Sequence, residues 1–127
     1  MRCQQVSFAD VELDRGFWHD RQEMNRTVTI RNVWKRFEET GRFAAFRFDW
    51  KEGMPNKPHY FFDSDVAKWM ESAAFILRKH PDPWLEERVD ELVDLIETHQ
   101  QEDGYFNVWF TAIEPGERFR HRFAHEL

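Results

Sequence analysis

Two histidines near the C-terminus have the spacing of paired metal ligands. His121 and His125 are four residues apart, so on a helix both side chains would lie on one face. The preceding residues do not form a firm helical pattern, and no third ligand is obvious nearby. A metal ion needs more ligands than this pair supplies. The sequence therefore favours no metal site here.

The other polar side chains do not form a catalytic group that spacing alone can identify. Glycosidic hydrolysis uses two carboxyl groups across the scissile bond, but spacing does not pair any two of the 24 Asp and Glu residues. Ser64 and Ser72 have no arrangement that suggests an activated nucleophile. Cys3 is the single cysteine, so no intrachain disulfide or cysteine-based metal cluster can form within these residues. The residues alone demonstrate no chemistry.

The composition excludes several classes of protein. A net charge of −6 disfavours a general nucleic-acid-binding role, because phosphate neutralisation needs a basic surface. The N-terminus lacks the apolar run of a signal peptide, and no stretch approaches the roughly 18 apolar residues of a membrane span. We therefore expect a soluble, cytoplasmic protein that has no membrane partner. The aromatic content of 17% suits a core and also a carbohydrate site, where aromatic faces pack on sugar rings.

The N-terminal elements that would position these residues are an arm and a helix. Residues 5–13 alternate loosely between apolar and polar types, which predicts a short strand or an extended arm. Over residues 20–40, apolar side chains recur at three- and four-residue steps, which predicts a helix with one apolar face. Gly41 fits a left-handed C-cap of that helix. The β-branched run at residues 27–30 lowers helix propensity, so burial must supply much of the stability.

An irregular aromatic segment follows this helix. Residues 43–62 combine aromatic side chains with Gly53, Pro55 and Pro58, which exclude a long helix. The aromatic content argues against disorder. We interpret the segment as a packed loop that either forms one wall of a cleft or fills the core beneath it.

The pattern of residues 63–105 predicts a helical hairpin. The first helix begins at Ser64 or Asp65, and Asp63 and Asp65 lie at its positive end, where carboxylates cap free amides. A Pro-Asp-Pro break then makes Asp82 the N-cap of the second helix. That helix is amphipathic, so we expect it to pack antiparallel on the first.

We expect the C-terminal part to be extended first and then to stop within an unfinished element. Gly104 fits a turn with positive φ, and residues 105–112 place aromatic side chains in succession, which indicates extended backbone. Pro115 and Gly116 form a turn. The stretch after them approaches another helix and has no cap near Leu127, so we expect the chain to end inside an element.

Several motifs in a fixed order give the chain a family resemblance. DSDVAKW at 63–69, HPDP at 80–83 and QQEDGY at 100–105 precede a terminal HEL. This pattern resembles the N-terminal part of glycoside hydrolase family 127, the β-L-arabinofuranosidase-like family with an (α/α)6 toroid catalytic domain. The resemblance covers about residues 6–127. It implies an all-α fold, a partial (α/α)6 toroid made of helical hairpins with a short N-terminal extended arm, in a single segment over residues 1–127.

The resemblance also implies a substrate site. In this family the histidine of the HEL motif contacts the sugar, which implies a substrate-binding role for His125. The DSD segment opens an inner helix that faces the cavity, so Asp63 and Asp65 are candidate wall residues. No catalytic residue is implied within this chain, because the family's cysteine nucleophile, zinc-binding cysteines and glutamate acid/base lie later in the sequence. Cys3 matches none of them, so zinc is expected in the full-length protein only.

These inferences give one interpretation and two alternatives. We interpret the chain as an inactive N-terminal fragment of a glycoside hydrolase that acts on non-reducing terminal β-L-arabinofuranosides or related sugars. One alternative is another (α/α)6 hydrolase of the unsaturated-glucuronyl type. Sequence past Leu127 discriminates the two, because a downstream Glu and Cys-Cys cluster supports the family 127 interpretation and its absence removes it. The other is a non-catalytic helical interaction module. It would repeat the hairpin of residues 63–101, and no convincing second copy is present.

Overall fold

The computed structural model describes residues 3–120 and is helical. Within that range there is no strand, which confirms the all-α prediction. A π-helix at Asn25–Thr29 connects the first two α-helices, and 3-10 turns lie at Phe8–Asp10, Ala44–Arg47 and Pro115–Glu117. The α-helices are α1 (Phe17–Met24), α2 (Ile30–Glu39), α3 (Phe62–Leu77), α4 (Pro83–His99) and α5 (Val108–Ala112).

None of the helices in the described range is both long and apolar enough to cross a membrane.

The helix predicted over residues 20–40 is confirmed, with an earlier start and an irregular centre. It begins at Phe17, and the π-helix coincides with the β-branched run. The C-cap at Gly41 is confirmed as a Schellman motif: Gly41 has φ 75°, and the N–H of Arg42 donates to the carbonyl of Phe37 at 3.0 Å. A Cβ at Gly41 would lie 2.7 Å from Cβ of Asn56, so the following loop also requires glycine here.

The core forms where α2, α3 and α4 meet. Trp69 of α3 donates its indole N–H to the carbonyl of Ile30 at 2.9 Å, which connects α3 to the start of α2. Leu85 and Leu92 of α4 are buried against them. Buried members of this cluster are Ile30, Trp34, Ala45, Phe46, Val66, Trp69, Ala73, Leu85, Leu92 and Val108. The predicted helical hairpin is therefore confirmed as α3 and α4.

The predicted start of α3, at Ser64 or Asp65, is two or three residues too late. The helix begins at Phe62, because the N–H of Asp65 already donates to the carbonyl of Phe61 at 2.8 Å. Asp63 therefore lies inside the first turn. By contrast, Asp82 is the N-cap of α4 as predicted: its Oδ1 accepts from the N–H of Leu85 at 3.2 Å.

The predicted extended segment at residues 105–112 is also wrong at its C-terminal end, where α5 forms. Asn107 is the N-cap of α5, and its Oδ1 accepts from the N–H of Phe110 at 2.9 Å. The N-terminal arm is confirmed without a strand. It contains a 3-10 turn, and the ammonium of Lys79 donates to the carbonyl of Val11 at 2.5 Å. The edge of Phe8 also contacts Phe75.

Candidate functional site

The N-terminus of α3 contains a buried carboxylate. Asp63 is only 2% exposed, and its two oxygens accept from backbone N–H groups of Ser64 and Val108, both at 3.1 Å. Val108 is the first residue of α5, so the carboxylate connects the starts of two helices. Burial raises the pKa of Asp63 to about 6; the two backbone N–H groups oppose this rise, and neighbouring Asp65 adds slightly to it.

Asp65 lies in the same turn of α3 and has a different environment. Its Oδ2 accepts from Nε of Arg42 at 3.0 Å, and 32% of its side chain is exposed. The Arg42 guanidinium lies over the rings of Phe37 and Phe62, at 4.9 and 4.6 Å from their centroids. Its Nη1 also donates to Oγ1 of Thr40 at 2.6 Å. Arg42 therefore holds Asp65 in a fixed position.

A groove runs beside Asp65, between α3 and the π-helix with α2. Its volume is about 270 Å³. The polar lining from α3 is Asp65, Lys68 and Ser72, and the opposite wall is mainly apolar. The lining is Asn25, Thr29, Ile30, Val33, Phe37, Asp65, Lys68, Trp69 and Ser72. Asp65 thus has an open space beside it in the described part of the chain, whereas Asp63 is enclosed.

Aromatic rings lie directly before the first turn of α3. The ring of Tyr60 packs on Trp109 of α5, with 4.3 Å between centroids and 37° between planes. His59 contacts the ring of Phe61 at 5.2 Å. The indole N–H of Trp109 donates to Oε2 of Glu114 at 2.9 Å. Sequence reasoning missed this pairing, because it assigned Trp109 to extended backbone; the Asn107 N-cap was the available signal.

A second polar cluster that the sequence did not predict lies around Tyr105. The Arg118 guanidinium forms an ion pair with Asp103 and lies 3.8 Å from the ring centroid of Tyr105. Burial raises the pKa of the Tyr105 hydroxyl, Arg118 lowers it, and the charge of Asp63 raises it. A hydrogen bond from the backbone N–H of Tyr105, together with Arg118, lowers the pKa of Asp103. Tyr105, Asp103 and Arg118 therefore form one connected polar cluster.

The described residues do not fit a metal site. Among residues 3–120 there is no group of three or more His, Cys, Asp or Glu side chains that could hold a metal ion, and Cys3 is exposed. His121 and His125 lie outside the described residues, so the sugar contact expected of His125 stays a prediction. The substrate roles of Asp63 and Asp65 also stay predictions.

Comparisons with known proteins give a consistent result. A family model described as beta-L-arabinofuranosidase, GH127 catalytic domain, matches residues 10–127. A curated protein from Bifidobacterium longum subsp. longum, named non-reducing end beta-L-arabinofuranosidase, is 55% identical over 47 residues. These residues are 37% of this chain and 7% of that protein.

Two solved structures share the fold of the chain. A GH127 β-arabinofuranosidase matches with a TM-score of 0.75 and 30% identity, over 84% of this chain and 17% of that chain. A GH127 β-L-arabinofuranosidase from Geobacillus stearothermophilus T6 matches with a TM-score of 0.76 and 32% identity, over 87% of this chain and 19% of that chain. The chain thus spans less than a fifth of each relative. The likeness confirms the fold expected from the resemblance.

Proposed function

Because the chain belongs to the GH127 catalytic-domain family of β-L-arabinofuranosidases, we propose that residues 1–127 are the N-terminal part of a glycoside hydrolase catalytic domain. The complete protein would hydrolyse non-reducing terminal β-L-arabinofuranosides or related sugars, with retention. The match of the family model to residues 10–127 carries this proposal. A carbohydrate is the partner that the family suggests, and a cytoplasmic location, zinc in the full-length protein and the lack of a nucleic-acid partner stay predictions.

We also propose that His125, Asp65 and Asp63 contribute to the sugar-binding cavity of the complete protein. The exposed fraction of Asp65 and its position beside the groove support direct contact with sugar hydroxyls. Asp63 has both oxygens occupied by backbone N–H groups, so its proposed contribution is to hold the cavity wall. The role of His125 rests on the HEL motif alone.

The family match favours this proposal over both alternatives. The matched model and the named relatives are β-L-arabinofuranosidases, and none is named as an unsaturated-glucuronyl hydrolase or an interaction module.

The isolated chain should not turn over substrate. It spans less than a fifth of each relative, and no catalytic residue is carried over to it. Purified residues 1–127 are therefore expected to release no chromophore from an aryl β-L-arabinofuranoside above a protein-free blank. Turnover that co-purifies with the chain would contradict this expectation.

The complete protein, expressed from the full reading frame, tests the proposed activity. It should cleave an aryl β-L-arabinofuranoside and leave the matched α-L-arabinofuranoside intact. The first sugar product observed by NMR should have the β configuration, because retention is proposed. Cleavage of an unsaturated glucuronyl oligosaccharide with no arabinofuranosidase activity would overturn the proposal in favour of the first alternative.

A further inference from the structure

Two tryptophans that are far apart in sequence lie close to the same lysine. The ammonium nitrogen of Lys57 is 5.4 Å from the ring centroid of Trp50 and 5.7 Å from that of Trp109. Both rings are half-buried, whereas 52% of the Lys57 side chain is exposed. An exposed cation therefore lies within about 6 Å of two aromatic rings.

Both rings are held by their own hydrogen bonds. The indole N–H of Trp50 donates to the carbonyls of Met54 and Pro55, at 3.2 and 3.1 Å. Trp109 is held by Glu114 on one edge and by the Tyr60 ring. Because the rings are ordered before any ligand arrives, binding would cost little side-chain entropy.

The lysine beside both rings is easily displaced. Its described ion pair, with Glu52, spans 4.0 Å, and 89% of the Glu52 side chain is exposed, so solvent screens the pair. An exposed cation–π contact contributes only about 0.5–1 kcal/mol. A ligand that packs on the rings and accepts a hydrogen bond from the ammonium can therefore replace this contact at little cost.

We propose that Trp50, Lys57 and Trp109 form a binding surface for the sugar residues on the leaving-group side of the glycosidic bond. Sugar C–H groups carry partial positive charge and complement the negative face of an indole ring. Sugar hydroxyls accept from Lys57. Asp49 and Asn56 line a cleft of about 150 Å³ that borders Trp50 and can bond further hydroxyls.

The proposed removal of one non-reducing terminal sugar leaves a single sugar on one side of the bond, so any further sugars lie on the leaving-group side, and the surface has to adjoin the cavity. Trp109 directly follows Val108, whose N–H donates to Asp63 at the start of α3. The surface therefore adjoins the helix end at which the sugar-binding cavity is proposed. This assignment to one side of the bond rests on the proposed function, whereas sugar binding by the surface does not.

Binding is tested first, with residues 1–127 and arabinotriose as the probe. Indole N–H resonances in NMR spectra, assigned with Trp→Phe variants, report on each tryptophan separately. Resonances of Trp50 and Trp109 should move with one shared dissociation constant, whereas those of buried Trp34 and Trp69 should not. The proposal is overturned if the two resonances stay fixed, or if exposed Trp18 moves equally.

Variants then test the energetic contribution of each ring. Trp50→Ala and Trp109→Ala should each weaken arabinotriose binding about threefold to tenfold, as expected for loss of an aromatic contact. Trp109→Phe, which retains a ring in α5, should bind more tightly than Trp109→Ala and guards against local unfolding. Trp18→Ala is the matched control, since Trp18 is 70% exposed in α1 and should bind as the wild type does. Wild-type affinity in Trp50→Ala would overturn the proposal.

Kinetics of the complete protein separate this proposal from the proposed function. Trp50→Ala should raise KM for a β-L-arabinofuranosyl disaccharide several-fold and raise KM for methyl β-L-arabinofuranoside by a smaller factor, because a methyl group offers the ring much less surface than a sugar does. Trp18→Ala, outside the surface, should leave both KM values at the wild-type level. An equal rise of KM for both substrates in Trp50→Ala would overturn the leaving-group assignment. A complete protein that cleaves neither substrate would refute the proposed function, while the NMR titration would still decide sugar binding.

Discussion

An aspartate lies at the start of both α3 and α4, and its pKa is shifted in opposite directions at the two positions. Asp63 in the first turn of α3 is 2% exposed, and burial raises its pKa to about 6. At the N-cap of α4, 16% of the Asp82 side chain is exposed, and its carboxylate forms an ion pair of 2.7 Å with Arg31. That hydrogen bond from Arg31 lowers the pKa of Asp82, with a further contribution from the Leu85 N–H.

This difference shows that a helix N-terminus does not by itself determine the ionisation of a carboxyl group. Asp63 and Asp82 both accept backbone N–H groups, which favour the charged form. Asp82 also pairs with the Arg31 guanidinium and is partly exposed to solvent, whereas Asp63 is buried, and among the described residues the nearby charge of Asp65 raises its pKa further. At Asp63, desolvation therefore outweighs the stabilisation of the charged form by the helix N-terminus. At Asp82, the guanidinium adds to that stabilisation.

The largest expected effect is a pH dependence that belongs to Asp63. Its folded-state pKa of about 6 lies above the unfolded value of 3.8. Between these two pH values the folded protein therefore keeps a proton on Asp63 that the unfolded protein has released. The stability that it contributes is present at low pH and is lost as pH rises through about 6. Between pH 4 and pH 7.5, Asp63→Asn should therefore gain about 2–3 kcal/mol relative to the wild type in urea unfolding of residues 1–127.

Asp63→Asn also has a cost in stability that does not depend on pH, so a comparison between two pH values cancels it. The amide introduced by Asp63→Asn would place an N–H₂ group against a backbone donor, and this costs about 1–3 kcal/mol at every pH. For that reason only the change of the stability difference with pH is diagnostic. NMR titration of the Asp63 carboxyl carbon in the wild type gives an independent measure, and a midpoint near 4 would refute the buried-carboxylate account.

Asp82 should show the opposite pH behaviour and a smaller effect. Its lowered pKa means that its stabilising contribution is present above the unfolded value near 3.8 and is lost as pH falls through the folded value. Asp82→Ala removes the cap of Leu85 and the ion pair with Arg31, and should cost about 1–2 kcal/mol at pH 7. Asp82→Asn retains a capping oxygen and should recover about half of that loss. Equal losses in the two variants would show that the cap contributes nothing.

The contrast also explains what the sequence could predict. Asp82 follows a proline-flanked break and caps a residue three positions away, so its role depends on local sequence alone. Gly41 is predictable for the same reason. The partner of Asp63, Val108, is 45 residues away, and neither its contact nor the resulting burial has a local signal. The start of α5 had a local signal in the N-cap residue Asn107, but the neighbouring aromatic residues favoured extended backbone.

Asn107 provides a third helix start, buried and uncharged, that sharpens the comparison. It is 2% exposed and caps the N–H of Phe110. Asn107→Ala should cost about 1 kcal/mol, within the usual range for an N-cap, whereas Asn107→Ser retains an acceptor and should cost less. Neither loss should vary between pH 4 and 7.5, in contrast to Asp63→Asn. Urea unfolding at both pH values checks this, and a pH-dependent loss would show that Asn107 acts through Asp63.

The smallest effect is expected where only the cation beside Asp82 is altered. Arg31 combines the ion pair with stacking 4.7 Å from the ring centroid of Trp84, and 38% of its side chain is exposed. Arg31→Lys keeps the charge but loses the planar group that bonds and stacks together, so it should cost about 0.5 kcal/mol after solvent screening. The pKa of Asp82, measured by NMR, should rise toward its ordinary value because the guanidinium hydrogen bond is the main cause of its depression. An unchanged Asp82 pKa would instead assign the depression to what Arg31→Lys leaves in place, namely the positive charge at this position and the backbone N–H groups at the start of α4.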